Sequence, residues 1–315
     1  MNQTELKSAF QGYDAMSTML KTHSYEEILK AAAELAGMPE ETLEQYPMGG
    51  YSKGMTSGAY RFVLHDLLKN IQHYDWLYSR LEDDASRLVF GNLLGYRIFP
   101  AQSFLQAAYD GETPQYFDKR IISCDQNEVF VDCGAYDGDS AAAFTEALDR
   151  QGIGTYDAII SFEPDEGNFK KLCGRGLENH TCICKGISDT VQDVYFSEAG
   201  TSGRVIDKPV DAAQATGQIN AEGSKTAIGL ETIDHVLQGQ RATMIKMDIE
   251  GYEMAALKGA EKTIAKWKPK LAVCIYHKKE DLWEIADYIH EIDPKYKLYM
   301  RNYEDTATEL VLYAV

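Results

Sequence analysis

After about residue 120 the chain alternates short apolar runs with helical segments, and no other feature limits its fold so sharply. The runs are Glu128 to Val131, Ala158 to Phe162, Thr181 to Cys184, Met244 to Met247 and Leu271 to Tyr276. Alternation of this kind marks βαβ units, in which each helix carries the chain back to start the next parallel strand. The tail breaks the rhythm: residues 297 to 303 and 309 to 315 read as two strands joined by a short polar turn. The pattern predicts a doubly wound α/β sheet that ends in an antiparallel hairpin.

Residues up to about 115 read as all-helical. Ser24 and Glu27 have capping-box spacing, and Ile28, Ala32, Leu35 and Ala36 follow on one face. Leu64, Leu67, Leu68 and Ile71 keep helical spacing, as does the stretch from Asp84 to Leu94. The expected division is a helical domain over 1–115, for capping a cleft and selecting a substrate or for dimerisation, and the α/β domain over 116–315. Residues 46–58, with Pro47, Gly49, Gly50, Gly54 and Gly58, read as a mobile loop or a plain connector. The polar, small-residue stretch from 197 to 229 is expected to be an active-site flap or a disordered loop. His65 and His73 lack a ligand pattern and are given no role.

The strand-turn-helix Val129-Phe130-Val131-Asp132-Cys133-Gly134-Ala135-Tyr136-Asp137-Gly138-Asp139-Ser140 is the central motif. Its glycines let backbone approach a ligand, and the open end of a first strand is where doubly wound sheets bind cofactors. A pyrophosphate would be repelled by Asp132, Asp137 and Asp139. The ammonium and sulfonium of S-adenosylmethionine would be attracted by them. Glu163, followed by Pro164 and Asp165, falls 31 positions after Asp132, at the end of the next strand. An acid there can accept both ribose hydroxyls of an adenosine, a contact that NAD sites share. Gly186, Ile187 and Ser188 could lie against adenine or form a simple turn. Asp248 and Glu250 leave the fourth strand together, facing the crevice or stabilising a helix N-terminus. His277 follows the fifth strand, as a general base for a hydroxyl or as a loop residue. No local ligand spacing supports a metal site, so none is assigned.

Composition narrows the partners. The chain has 31 Lys plus Arg against 49 Asp plus Glu, and this formal charge of −18 disfavours nucleic acid. No apolar stretch is long enough for a membrane span, and the first residues show no secretory signal, so a cytoplasmic setting is expected. The 6 cysteines lack paired spacing and read as buried thiols. A homo-oligomer is left open.

Taken together, VFVDCGAYDGDS, SFEPD, IKMDIEGYE with LKGAEKTI, and CIYHKKEDLWEIADYI resemble the FkbM family of S-adenosylmethionine-dependent methyltransferases. The likeness runs from about Gln115 to the C-terminus, and QYFD, KLYMRNY and ELVLYAV resemble a bacterial branch. It implies the class I methyltransferase (Rossmann-like) fold and methylation of a hydroxyl oxygen on a sugar, glycolipid or polyketide-type molecule. Asp132, Gly134, Ala135, Tyr136 and Gly138 match the donor loop, Glu163 the ribose acid, and Asp248, Glu250 and His277 the family's site positions. Two other readings compete: an NAD-linked oxidoreductase, against which the acidic two-glycine loop argues, and a non-catalytic cofactor-binding partner subunit in glycan assembly, against which the intact Asp248, Glu250 and His277 argue.

Overall fold

The computed structural model describes every residue except 49–58, 112, 198–203 and 210–224. The chain forms two compact units, one of Met1–Thr113 with Cys274–Ala314, the other of Pro114–Val273 with the terminal Val315. No described helix is long and apolar enough to cross a membrane.

The first unit opens with helices α1 (Gln3–Ala9), α2 (Tyr13–Thr22), α3 (Tyr25–Ala36), α4 (Glu40–Glu44), α5 (Tyr60–Arg80), α6 (Asp84–Ile98) and α7 (Gln102–Ala108). Ser24 caps α3 as its spacing predicts, with reciprocal side-chain bonds to and from Glu27, and Gly37 ends the helix in the left-handed conformation. Most of the loop expected at 46–58 lies outside the described residues; at its edges Pro47 and Ala59 form an isolated bridge.

The second unit contains β1 (Val129–Cys133), α8 (Asp139–Arg150), β2 (Ala158–Phe162), α9 (Glu166–Gly174), β3 (His180–Ile183), β4 (Gly186–Ile187), β5 (Gln192–Ser197), β6 (Arg204–Pro209), β7 (Lys225–Glu231), α10 (Ile233–Leu237), β8 (Met244–Met247), α11 (Glu253–Lys258), α12 (Glu261–Trp267) and β9 (Lys270–Cys274). Parallel pairing joins β1 to both β2 and β8, β2 to β3, and β8 to β9. The chain therefore winds outward from β1 in one direction through β2 and β3, then returns to β1's other side with β8. That reversal is the topological switch point, outside whose carboxyl ends doubly wound sheets hold ligands. Phe130 of β1 stacks on Phe144 of α8 at 4.7 Å, and Phe117 meets Phe130 edge-on at 5.7 Å.

The stretch expected as a flap or disordered loop is in part a second sheet. β4, β7, β5 and β6 form it in that order, β5 pairing antiparallel with β6 and β7. The remainder of 197–229 lies outside the described residues. The sequence reading missed these strands because it took a polar, small-residue composition as lack of structure, whereas antiparallel strands tolerate a polar face.

The chain then re-enters the first unit with α13 (Asp281–Ile292), β10 (Leu298–Asn302) and β11 (Leu310–Ala314). β10 and β11 are the expected antiparallel hairpin. They complete a seven-stranded order β10-β11-β9-β8-β1-β2-β3. The cysteine expectation needs correction: Cys133 and Cys274 are buried, but Cys173 and Cys184 are exposed. Both sit at the margins of elements, Cys173 near the end of α9 and Cys184 just past β3, where the apolar run has run out.

Candidate functional site

The turn after β1 is built by backbone that only particular residues allow. Gly134 (φ +82°), Tyr136 (φ +46°) and Gly138 (φ +89°) all take left-handed conformations. A Cβ on Gly134 would lie 1.9 Å from the Asp248 carbonyl oxygen, so the loop rests directly on the tip of β8. The amides of Gly134 and Ala135 donate to the Phe162 carbonyl at 3.1 and 3.0 Å. Asp137 is bound by Arg175, whose Nη2 lies 2.6 Å from its carboxylate.

Asp132 is 0% exposed. Its Oδ2 accepts from Ser140 Oγ at 2.5 Å, and its Oδ1 lies 3.2 Å from Lys246 Nζ. Lys246, on β8 and 3% exposed, also donates to the Gly134 carbonyl at 2.7 Å. The carboxylate and the ammonium thus clamp the loop from beneath. Sequence reasoning named Asp132 but missed Lys246 and Ser140, since a cation inside an apolar strand acquires meaning only once its partner, 114 residues away, is known.

At the tip of β2 the Glu163 carboxylate accepts from the Tyr136 amide at 2.8 Å and the Asp165 amide at 2.9 Å. Glu163 is 7% exposed. Burial pushes its carboxyl up to about 7, against the pull of those two amides. Pro164 follows it, and Asp165 caps α9 by accepting from the Asn168 amide at 2.8 Å. Gly186 and Ile187 form β4 against β7, and the Ser188 amide donates to the Glu231 carbonyl at 2.9 Å. Ile187 and Ser188 are buried there.

The segment after β8 turns sharply through Glu250 (φ +56°) and Gly251 (φ +96°). Asp248 is half-buried, and its amide donates to the Cys133 carbonyl at 3.0 Å. Tyr116 Oη donates to Asp248 Oδ2 at 3.0 Å. Glu253, fully buried, accepts from the Ile249 amide at 2.8 Å and closes the turn. Neither Tyr116 nor Glu253 was a sequence candidate. Tyr116 lies within the QYFD run, whose signal was its likeness to the family rather than any spacing. His277, in the first unit, is 3% exposed and its ring centroid lies 4.1 Å from that of Tyr276.

The decisive comparison is with protein families. Residues 132–303, more than half the chain, match the model of the methyltransferase FkbM domain. The chain belongs to the FkbM methyltransferase family. Among solved structures it is similar to the methyltransferase FkbM from Methylobacillus flagellatus KT, with 22% identity, a TM-score of 0.67, and 93% of this chain and 72% of that one covered. It bears a looser likeness to an rRNA methylase from Streptococcus thermophilus (15% identity, TM-score 0.36, 69% and 93% covered). SMU.1697c from Streptococcus mutans, solved in complex with SAH, is similarly distant (11% identity, TM-score 0.35, 63% and 93% covered). No curated protein matches.

As a member of this family the chain is a methyltransferase whose methyl donor is S-adenosylmethionine. The residues at the switch point fit that donor. Gly134 and Gly138 take left-handed backbone in a turn without bulky side chains at those positions, and the Glu163 carboxylate lies at the tip of β2 beside the Tyr136 amide, within the region outside the strand ends where such sheets hold ligands.

Proposed function

We propose that this FkbM-family protein methylates a hydroxyl oxygen of a sugar, glycolipid or other small molecule, with His277 as the base. The observation that carries the reading is His277 itself: an imidazole 3% exposed, three residues past the end of β9. A hydroxyl is a weak nucleophile until its proton has a place to go, and a buried imidazole at a strand end suits that task.

The donor, when bound, supplies a methyl group made electrophilic by the adjoining sulfonium. On this reading the loop from Gly134 to Gly138 receives it, Glu163 accepts its ribose hydroxyls, and Asp165 and the stretch from Gly186 to Ser188 flank the adenosine. The fixed amide donors of the loop and the clamp of Asp132 with Lys246 hold that backbone before any ligand arrives, which lowers the ordering cost of binding. His277 takes the proton from the acceptor hydroxyl, and Asp248 and Glu250 orient the acceptor.

The test uses labelled donor and candidate acceptors, with products identified by mass spectrometry. O-methylation by the wild type, with His277→Ala slowed roughly 10²- to 10⁴-fold in single turnover and unaltered in donor affinity, is the expected result. A His277→Ala protein with near-normal turnover would move the base role to Asp248 or Glu250. A product methylated at nitrogen or carbon would overturn the oxygen assignment.

A further inference from the structure

The turn that carries His277 is held by a side chain from the helical start of the chain. Between Cys274 and α13 the backbone passes through Tyr276, His277, Lys278 and Lys279 with no helix or strand of its own. Asp281, buried at the first position of α13, accepts from the Lys278 amide at 2.7 Å and closes the turn locally. The Lys279 carbonyl accepts from Arg97 Nη1 at 2.7 Å. Arg97 lies in the last turn of α6, 182 residues before that partner.

Arg97 is buried, and a buried guanidinium is stable only where its donors are met. Its Nη1 also donates to Tyr74 Oη at 2.7 Å, and its Cζ lies 5.9 Å from the centre of the Tyr74 ring. Tyr74 Oη in turn donates to Asp66 Oδ2 at 2.5 Å, which places a buried carboxylate one phenol away from the cation. Asp66 accepts as well from Asn70 Nδ2 at 2.9 Å and from Trp283 Nε1 of α13 at 3.3 Å. The backbone of α5 leaves helical geometry at Asn70 (φ −116°, ψ 17°), between the two residues of that helix that the phenol joins. Side chains of α5, α6 and α13 thus meet in one polar network. Such a network is costly to leave half made, so it selects one arrangement of Arg97 and, through it, of the Lys279 carbonyl.

We propose that Arg97 is a positioning residue for His277: by anchoring the Lys279 carbonyl it fixes the turn after β9, so that the N-terminal helices set the direction of the imidazole. The anchoring stands on the contacts above, and its bearing on catalysis rests on the reading of His277 as the base. An imidazole accepts a proton only along the lone pair of one ring nitrogen, so a turn that shifts carries the base off its hydroxyl and slows transfer without touching the donor.

Carbethoxylation of the full chain by diethyl pyrocarbonate near neutral pH, with each modified histidine located by peptide mass spectrometry, tests it. The reagent reacts with accessible neutral imidazoles. His277, 3% exposed, is expected to react slowly in the wild type, and the solvent-facing His235 fast. Arg97→Met should raise the His277 rate by roughly ten- to a hundredfold, the gain in opened turn when a buried hydrogen bond to a charged group is lost. Tyr74→Phe, which keeps the ring and removes the phenol link, should raise it by roughly three- to tenfold. In both variants His290 of α13 and His180 of β3 should keep their wild-type rates, and calorimetry should give wild-type affinity for S-adenosylmethionine. An unchanged His277 rate overturns the proposal. A rise shared by His290 and His180, or accompanied by loss of donor affinity, overturns it too, since Arg97 would then support the packing of the protein rather than the turn. Should Arg97→Met fail to fold, Tyr74→Phe decides alone. The base reading fails differently, by near-normal turnover of His277→Ala, a result that leaves these carbethoxylation rates untouched.

Discussion

A single carboxyl group shows how the fold tunes this site. Glu163 has an ordinary value of 4.5 raised to about 7 by burial, so near neutrality it carries its proton part of the time. In the folded protein, stability linked to this group is fully present below 4.5 and fades as pH rises through about 7. On the proposed ribose assignment, donor binding runs the other way, because the ribose hydroxyls would donate to the ionised carboxylate. Affinity for S-adenosylmethionine should therefore be highest above pH 7 and fall below it, with proton release on binding in that lower range. Calorimetry in buffers of different ionisation enthalpy reads the proton count directly, and a pH-independent affinity with no proton release would contradict the assignment. Glu163→Ala should weaken binding by about 1.5–3 kcal/mol, the range for hydrogen bonds to a charged group. Residues of this kind were legible in the sequence because each ends an apolar strand, a position that spacing alone reveals. Lys246, Tyr116 and Glu253 were not. Their partners are set by tertiary contact, and a lysine within Met244–Met247 or a tyrosine before β1 looks the same in sequence whether it is paired or solvated.

The element that depends most on one residue is the turn between β1 and α8. Gly134→Ala would meet two penalties together: a left-handed backbone disfavoured for any side chain, and a Cβ 1.9 Å from the Asp248 carbonyl. The first alone costs about 1 kcal/mol or more, and the second forces the loop off β8. The expected outcome is a destabilised protein that has lost donor binding, measured by thermal melting with and without the donor; retained binding would show that the loop does not need this close approach. The end of α3 offers a milder case. Ser24→Ala removes one half of a reciprocal cap and should cost about 1 kcal/mol in a chemical denaturation experiment. Both elements were foreseen from short-range signals: paired glycines after a strand, and a serine three residues before a glutamate. The second sheet was not foreseen, since β4 is only two residues long and pairs with β7 some 40 positions further on.

At the scale of the whole chain, the first unit joins the two ends of the sequence. Asp83 caps α6 through the Ser86 amide at 2.8 Å, and its carboxylate lies 2.6 Å from Arg301 of β10, a residue 1% exposed. Burial would raise the Asp83 carboxyl, but hydrogen bonds from Arg301 and Ser86 outweigh it and hold it at about 2. Its contribution to stability is thus present above the ordinary 3.8 and is lost as pH falls through about 2. Asp83→Asn should destabilise the protein by about 3 kcal/mol at neutral pH, the low end for stranding a buried cation, since Asp110 remains 3.5 Å from Arg301. The same joint bears on where the chain can be cut. The Glu82 amide donates to the Leu298 carbonyl at 3.0 Å, the Asp110 amide to the Asn302 carbonyl at 2.7 Å, and the Met300 amide to Ser86 Oγ at 2.9 Å. Residues before 115 therefore bond both ends and the middle of β10, and α13 packs on α5. A fragment beginning at residue 116 would carry α13, β10 and β11 with those amides and apolar faces newly open to water. It is expected to be insoluble or to lack a cooperative melt, even though it contains every residue assigned here to donor binding. Circular dichroism and sedimentation of the purified fragment decide this. A soluble fragment with the melting midpoint of the full chain would show that the N-terminal helices are dispensable for folding, and would leave acceptor selection as the role to test in them.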